Sequence, residues 1–276
     1  MLYPFQMGKT DGYCFTARSI TGALLDGNTA EFVSWRFSML GVFDWRNAAI
    51  AAALCTSGDT IVEIGAHVGT ETLFFSGVVG GSGHVYAVEP VPSNARALKR
   101  TLERNAIRNV TLLECAVGES IGAVRFASPV SSNTGMGHMD HDGDLEVTCE
   151  TLDSLEASIG RAAVIYADVE GAELSILRGG RGYLSRHRPA LVLEVVPRWL
   201  ERAGIDANAI RHEIKSLSYA AYELGRFGLR EIADSWRGEN WLCLPNERRA
   251  DAKAVRRALA RCSALPADFC FKIEER

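Results

Sequence analysis

The sequence predicts an α/β fold: a doubly wound, mostly parallel sheet with an antiparallel C-terminal hairpin, preceded by a β-rich extension. Three observations carry this. Short apolar runs alternate with helix-length segments between residues 60 and 195, the spacing of βαβ units whose crossovers cover both faces of a sheet. Thr60-Ile-Val-Glu-Ile-Gly-Ala-His-Val-Gly69 ends a buried run on two glycines, so the chain turns tightly at the strand's end. Beyond it, His84-Val-Tyr-Ala-Val-Glu89 is a second strand with a carboxylate at its tip.

In chain order, Tyr13-Cys-Phe-Thr and Phe32-Val-Ser-Trp-Arg-Phe are aromatic, β-prone runs between Gly, Asp and Asn turns; they predict a β-rich extension over residues 1–43. Asp44 is placed to cap an alanine-rich helix from Trp45 to Cys55, which Ser57-Gly58-Asp59 stops. The core follows as strand 60–64, helix 70–78, strand 84–88, helix 92–105 and strand 110–114. Val124-Arg-Phe and Leu145-Glu-Val-Thr read as a hairpin joined by the polar loop 128–144. Residues 163–167 form the fourth core strand, 171–183 its helix, and 190–195 the fifth strand. Ile210, Ile214, Leu217, Ala221 and Leu224 fit one face of a helix. Gly228-Leu-Arg-Glu-Ile and Asn240-Trp-Leu-Cys-Leu are expected to pair as the closing hairpin, completing a main domain over 44–246. A helix and tail over 247–276 carry Arg248, Arg249, Arg256, Arg257 and Arg261 on a solvated face.

Composition narrows the function classes. The chain has 276 residues, a common size for one α/β domain. Lys plus Arg number 30 against 34 Asp plus Glu, a net charge of −4, which argues against a nucleic-acid or anionic-membrane partner. The seven cysteines are scattered and form no CxxC pair; they read as small buried residues in a reducing, cytoplasmic setting. Met1-Leu-Tyr-Pro-Phe-Gln lacks a basic stretch followed by an apolar core, so no signal peptide is expected. No apolar run reaches the roughly 18 residues of a membrane span.

A Gly-rich turn that opens a helix, with an acid at the next strand tip, is how doubly wound folds hold a nucleoside. Dinucleotide enzymes use G-x-G-x-x-G, whose second glycine lets the backbone approach a pyrophosphate. Here the spacing is G-x-x-x-G with His67 inside it, and no Tyr-x-x-x-Lys occurs, so an NAD-linked dehydrogenase is disfavoured. Glu63-x-Gly65-x-x-x-Gly69 suits S-adenosylmethionine (SAM), which carries no phosphate. Its amino-acid end can bond the loop backbone, and Glu63 sits where an ammonium is met. A tightly packed strand–turn–helix without ligand is the plainer reading; Glu89 speaks against it, because a carboxylate ending an apolar strand needs water or a partner.

Asp168-Val-Glu170-Gly171-Ala-Glu173 follows directly on Val164-Ile-Tyr-Ala. The tip of such a strand is where open α/β sheets bind ligands. Glu170 and Glu173 serve equally well as charges at a helix N-terminus. Asp168 shares the crevice with Gly65 and Glu89, placed to orient a donor or to take a proton from an acceptor hydroxyl. Glu194, at the fifth strand's tip, faces the same crevice as a partner for a polyol or as a loop tether.

Together, Glu63-Ile-Gly-Ala-His-Val-Gly, Val85-Tyr-Ala-Val-Glu-Pro, Thr151-Leu-Asp-Ser-Leu and Asp168-Val-Glu-Gly-Ala-Glu resemble the FkbM family of SAM-dependent methyltransferases, over about residues 58–196. The resemblance implies a class I methyltransferase fold, a Rossmann-like seven-stranded sheet, and O-methylation of a sugar, glycan or natural-product hydroxyl. It implies SAM contacts at Glu63, Gly65, Gly69 and Glu89, and places Glu114, Cys115 and Ala116 near the adenine. Ala66, His67, Pro90 and Asp168 complete the cofactor candidates. The family usually carries Asn where this chain has His67, so His67 joins Asp168 and Glu170 as a catalytic candidate. Glu170, Glu173, Glu194, His138 and His141 are the acceptor-side candidates, the two histidines lying in a polar loop suited to a lid. Asp140-x-Asp142-x-Asp144 starts like a calcium loop, but glycine falls fourth rather than sixth and Thr151 stands where the bidentate Glu belongs; no metal is expected. The alternatives are an RNA or protein methyltransferase, or a non-catalytic binding protein of this fold. Trp35, Phe37 and Trp45 in and beside the extension suit covering a second copy in a homo-oligomer.

Overall fold

The computed structural model describes residues 12–127, 138–139, 143–225, 228–232 and 239–264. The extension opens with an antiparallel hairpin, β1 (Cys14–Arg18) and β2 (Leu24–Asn28). The second aromatic run, expected as a strand, is instead helix α1 (Phe32–Leu40). The Glu31 carboxylate caps it, accepting from the amides of Val33 at 3.1 Å and Ser34 at 2.7 Å. Gly41 ends it at φ +66, donating to the Phe37 carbonyl at 2.7 Å. Both ends are thus satisfied, and Phe37 packs with Leu25 and Leu73 in a small core. Caps and packing outweigh the weak β preference of the run.

Asp44 accepts from the Arg46 amide at 2.9 Å and starts α2 (Trp45–Leu54). Then come β3 (Thr60–Ile64), α3 (Thr72–Val79), β4 (His84–Val88), α4 (Pro92–Arg104) and β5 (Val110–Leu113). β6 (Ala116–Val117), β7 (Gly122–Ala127), β8 (His138–Met139) and β9 (Leu145–Glu150) form a separate four-stranded sheet in the order β6-β9-β7-β8. In it Val124 pairs with Val147, the hairpin read from the sequence. Most of the polar loop, with His141 and the calcium-like Asp140 and Asp142, lies outside the described residues; for His138 only its strand is described.

After the short α5 (Glu156–Ile159) the core resumes with β10 (Val164–Ala167). The helix expected over 171–183 is two, α6 (Glu173–Gly179) and α7 (Arg181–His187). They meet at two tightly packed glycines. A Cβ on Gly179 would lie 2.0 Å from the Gly118 carbonyl, and one on Gly180 2.8 Å from Leu152. Next come β11 (Ala190–Glu194), α8 (Pro197–Arg202) and α9 (Ala207–Ser216). The helix expected to reach Leu224 stops at Ser216, and Ala221 and Leu224 belong to strand β12 (Tyr219–Gly225). Tyr219 and Ala221 face one core, Ala220, Tyr222 and Leu224 the other. That alternation is a strand's period, which a few residues spaced three and four apart also mimic.

The hairpin expected between β13 (Gly228–Glu231) and β14 (Asn240–Pro245) does not form. Both pair with β12, on opposite edges, through Tyr222 to Glu231 and Tyr222 to Leu242. β14 thereby fills the gap between β11 and β12, running antiparallel to both. The sheet order is β13-β12-β14-β11-β10-β3-β4-β5. Its core, β11 to β5, is parallel, and β13 adds an eighth strand at the edge. Apolar cores cover both faces. Residues 246–251 form a 3₁₀ turn before α10 (Ala252–Ala264). This helix buries Val255 and Leu259 and exposes Arg256, Arg257 and Arg261. Among the described residues no helix is long and apolar enough to cross a membrane.

Candidate active site

The tips of β3, β4, β10 and β11 converge on a cavity of about 620 Å³, within the range of small-molecule sites. On one wall the chain turns at Gly65 with φ +92, and a Cβ there would sit 2.0 Å from the Asp168 carbonyl oxygen. Only glycine lets the β3 and β10 tips approach so closely. The amides of Gly65 and Ala66 donate to the Val88 carbonyl at 2.9 and 3.0 Å, tying the loop to β4.

Glu89, 4% exposed, sits at the β4 tip. One oxygen accepts from the His67 amide at 2.7 Å; the other accepts from the Val91 amide at 2.8 Å and from Asn94 at 3.4 Å. A carboxylate has about four acceptor positions, so capacity remains for a ligand hydroxyl. Burial pushes Glu89 up to about 7 against these bonds. Glu63, 3% exposed, accepts from the Thr72 hydroxyl at 2.6 Å. Burial pushes it up to about 8, with Glu89 and Asp168 adding to the rise.

Pro90, Cys115 and Ala116 also line the cavity, whereas Gly69, Glu114 and Glu173 do not. Gly69 serves packing: a Cβ would strike Leu98 at 2.4 Å. Glu114 is exposed elsewhere. Glu173, fully buried, accepts from the Gly171 amide at 3.2 Å and stiffens its own loop, and burial pushes it up to about 7. His67 lines the cavity at φ +51. Burial holds its imidazole below the usual range, opposed by the Glu31 carboxylate at the start of α1.

Asp168 and Glu194 face the cavity and are hydrogen-bonded to each other. Asp168 is open to the cavity's solvent and walled by protein elsewhere; burial raises it. Glu170 follows at φ +49, its carbonyl accepting from Arg202 at 2.9 Å. Burial and then Asp168 push the Glu170 carboxyl up to about 7.

Several lining residues escaped sequence reasoning. Glu71 accepts from the Asp44 amide and from Asn47, each at 2.8 Å, and burial, helped by Glu63, raises it well above a normal carboxyl. Its signal was its place two residues past Gly69, at the mouth of the helix the glycines open. Arg46 reaches Asp44 at 2.5 Å. Trp199 lines the opposite rim, with the Arg198 and Arg202 guanidiniums 4.4 and 4.5 Å from its ring centroid. Phe32, Val33 and Phe43 bring the extension to the cavity.

Comparison with known proteins gives the family. The family model described as the methyltransferase FkbM domain matches residues 63–223, more than half of the chain. The chain is 38% identical over 56 residues to a protein-L-isoaspartate O-methyltransferase of Methanothrix thermoacetophila, a match covering 20% of this chain and 27% of that relative. Among solved structures, it is similar to the methyltransferase FkbM of Methylobacillus flagellatus KT, at 19% identity and a TM-score of 0.48. That match covers 87% of this chain, which spans 57% of the other's length. A SAM-dependent O-methyltransferase of Thermotoga maritima matches at 13% identity and a TM-score of 0.40, covering 73% of this chain and 64% of that one. The chain therefore belongs to the FkbM methyltransferase domain family.

Proposed function

We propose that the chain methylates a hydroxyl oxygen on a sugar, glycan or natural-product acceptor. The observation that carries this reading is Asp168, a carboxyl open to the cavity on the strand tip beside Gly65. The residues fit the cofactor: the glycine-only approach at Gly65 leaves a backbone-lined cradle, and Glu89 keeps acceptor capacity for ribose hydroxyls. Bound SAM supplies an electrophilic methyl group on a sulfonium. Glu63, Gly65, Ala66, His67, Glu89, Pro90, Cys115 and Ala116 line the side of the cavity that holds it. Asp168 sets negative potential around a cationic donor, whose charge in turn favours ionisation of the buried Glu63, Glu71 and Glu89 beside it. Asp168 takes the acceptor's proton, since a free hydroxyl is a weak nucleophile. Glu170 and Glu194 hydrogen-bond other acceptor hydroxyls, and His67 is the reserve base. Phe32 and Phe43 exclude water from the line of attack, which requires the oxygen about 3–3.5 Å from the carbon. The acidic lining disfavours a polyanion such as RNA. The six described cysteines are free and four of them are buried, in keeping with a reducing, cytoplasmic setting.

The test is transfer of labelled methyl from SAM to panels of sugars, oligosaccharides and polyhydroxylated natural products, with RNA and protein alongside. Label is expected on a hydroxyl acceptor, and Asp168→Asn should lower turnover by about 100-fold or more with an unchanged circular-dichroism spectrum. Label on RNA or protein alone, or wild-type turnover in the variant, would refute the reading.

A further inference from the structure

We propose that Glu194 is the positioning partner of Asp168: a neutral carboxyl that donates a hydrogen bond to the Asp168 carboxylate and fixes its orientation toward the cavity. This rests on Asp168 being the base. The placement follows from the sheet. β10 and β11 are parallel, with Ala167 opposite Leu193, so the next residues, Asp168 and Glu194, stand side by side at the tips. Both line the cavity, and their carboxyls are hydrogen-bonded to each other. Ionised carboxylates only accept hydrogen bonds, so this bond requires one proton on the pair.

The surroundings keep that proton in place. Asp44 and Arg46 face the pair from the start of α2, Glu63 from β3, Glu170 from the loop after β10, and Glu173 from α6. Asn240 lies across from Glu194 in β14. Arg46 is chelated by Asp44, and on the other side Arg202 lies 3.8 Å from the Glu170 carboxylate with Arg198 beside it. Among the described residues neither member of the pair makes a salt bridge. Two like charges side by side with no cation of their own do not both ionise near neutrality. Glu194 is the more enclosed member and Asp168 the more open one, so the proton belongs on Glu194. In agreement, burial and then the Asp168 charge push Glu194 up to about 10.

The proton balance is simple. As the acceptor oxygen bonds the methyl carbon and the sulfur–carbon bond breaks, the hydroxyl proton moves to Asp168. The pair then holds two protons and returns one to solvent through the cavity. Glu194 itself never meets the reacting atoms.

Two measurements on the full chain test this. The first is carbon-13 NMR of side-chain carboxyls in the ligand-free protein from about pH 4 to about pH 11, spanning the ordinary range of both groups. The pair should titrate in two steps more than about 2 pH units apart, as strongly interacting sites do. Glu194→Gln should abolish the upper step, and Asp168→Asn should bring Glu194 down. Ionisation of both carboxyls below about pH 6 would overturn the proposal. The second measurement uses whichever hydroxyl acceptor takes label from SAM. Glu194→Ala should lose turnover, and Glu194→Gln, whose amide still donates, should recover at least about tenfold of the loss in kcat. Equal turnover in the Ala and Gln variants would overturn the positioning role. A failed base assignment looks different: Asp168→Asn would turn over normally while the two-step titration persisted.

Discussion

The two walls of the cavity are fastened in different ways. On the wall proposed for the donor the contacts are local and mostly backbone. Gly65 and Ala66 bond Val88, and His67 and Val91 bond Glu89, all within one βαβ unit. On the wall proposed for the acceptor the lining comes from distant places: Phe32 and Phe43 from the extension, Glu194 from β11, Trp199 from α8 and Asn240 from β14. A cofactor that does not vary suits a short, stiff motif. An acceptor wall assembled from separate elements can change one side chain at a time without disturbing the donor wall.

The strongest way to break that contrast is Gly65→Ala. A left-handed backbone and a 2.0 Å clash with the Asp168 carbonyl should cost about 3 kcal/mol or more of stability, read as the urea midpoint. Wild-type stability would mean the donor wall is looser than the geometry states. Glu89→Ala comes next. It removes the ribose acceptor and strands two backbone amides, and should weaken SAM binding by about 2 kcal/mol, roughly 30-fold, by calorimetry. Undiminished affinity would remove Glu89 from the cofactor site.

Phe32→Ala probes the other wall. Phe32 is 37% exposed and lies edge-on to Phe43 at 6.0 Å. Its loss should raise the acceptor KM about fivefold, near 1 kcal/mol, and leave SAM affinity within about twofold. An equal loss of SAM affinity would show that the walls are not independent.

The smallest effect is a pH slope. In the fold Glu89 titrates near about 7 and Glu63 near about 8, both above the roughly 4.3 of an unfolded glutamate. Between pH 5 and pH 8 the unfolded chain has already released these protons while the folded chain still holds them. Stability of the ligand-free protein therefore falls as pH rises through this window. Urea midpoints at both ends should show the decline, and Glu63→Gln should lessen it. A midpoint that rises with pH would contradict the buried, partly protonated donor wall.

What the sequence determined by itself was whatever rests on near neighbours in the chain. The turn at Gly65, the acid at Glu89 and the strands beside them were legible, because glycine at a strand end and a carboxylate on an apolar strand each have few physical explanations. The parallel core was legible from alternation alone. Tertiary structure decided the rest. Residues 32–37 are β-prone as a run but helical once Glu31 and Gly41 satisfy the ends and Phe37 is buried. Residues 217–224 repeat at helical spacing yet form a strand with two buried faces. Whether β14 pairs with β13 or enters between β11 and β12 depends on which edges are open, a long-range matter on which local periodicity is silent. For the same reason Glu71, Arg46 and Trp199 entered the cavity unannounced: their neighbours there lie far away in the chain.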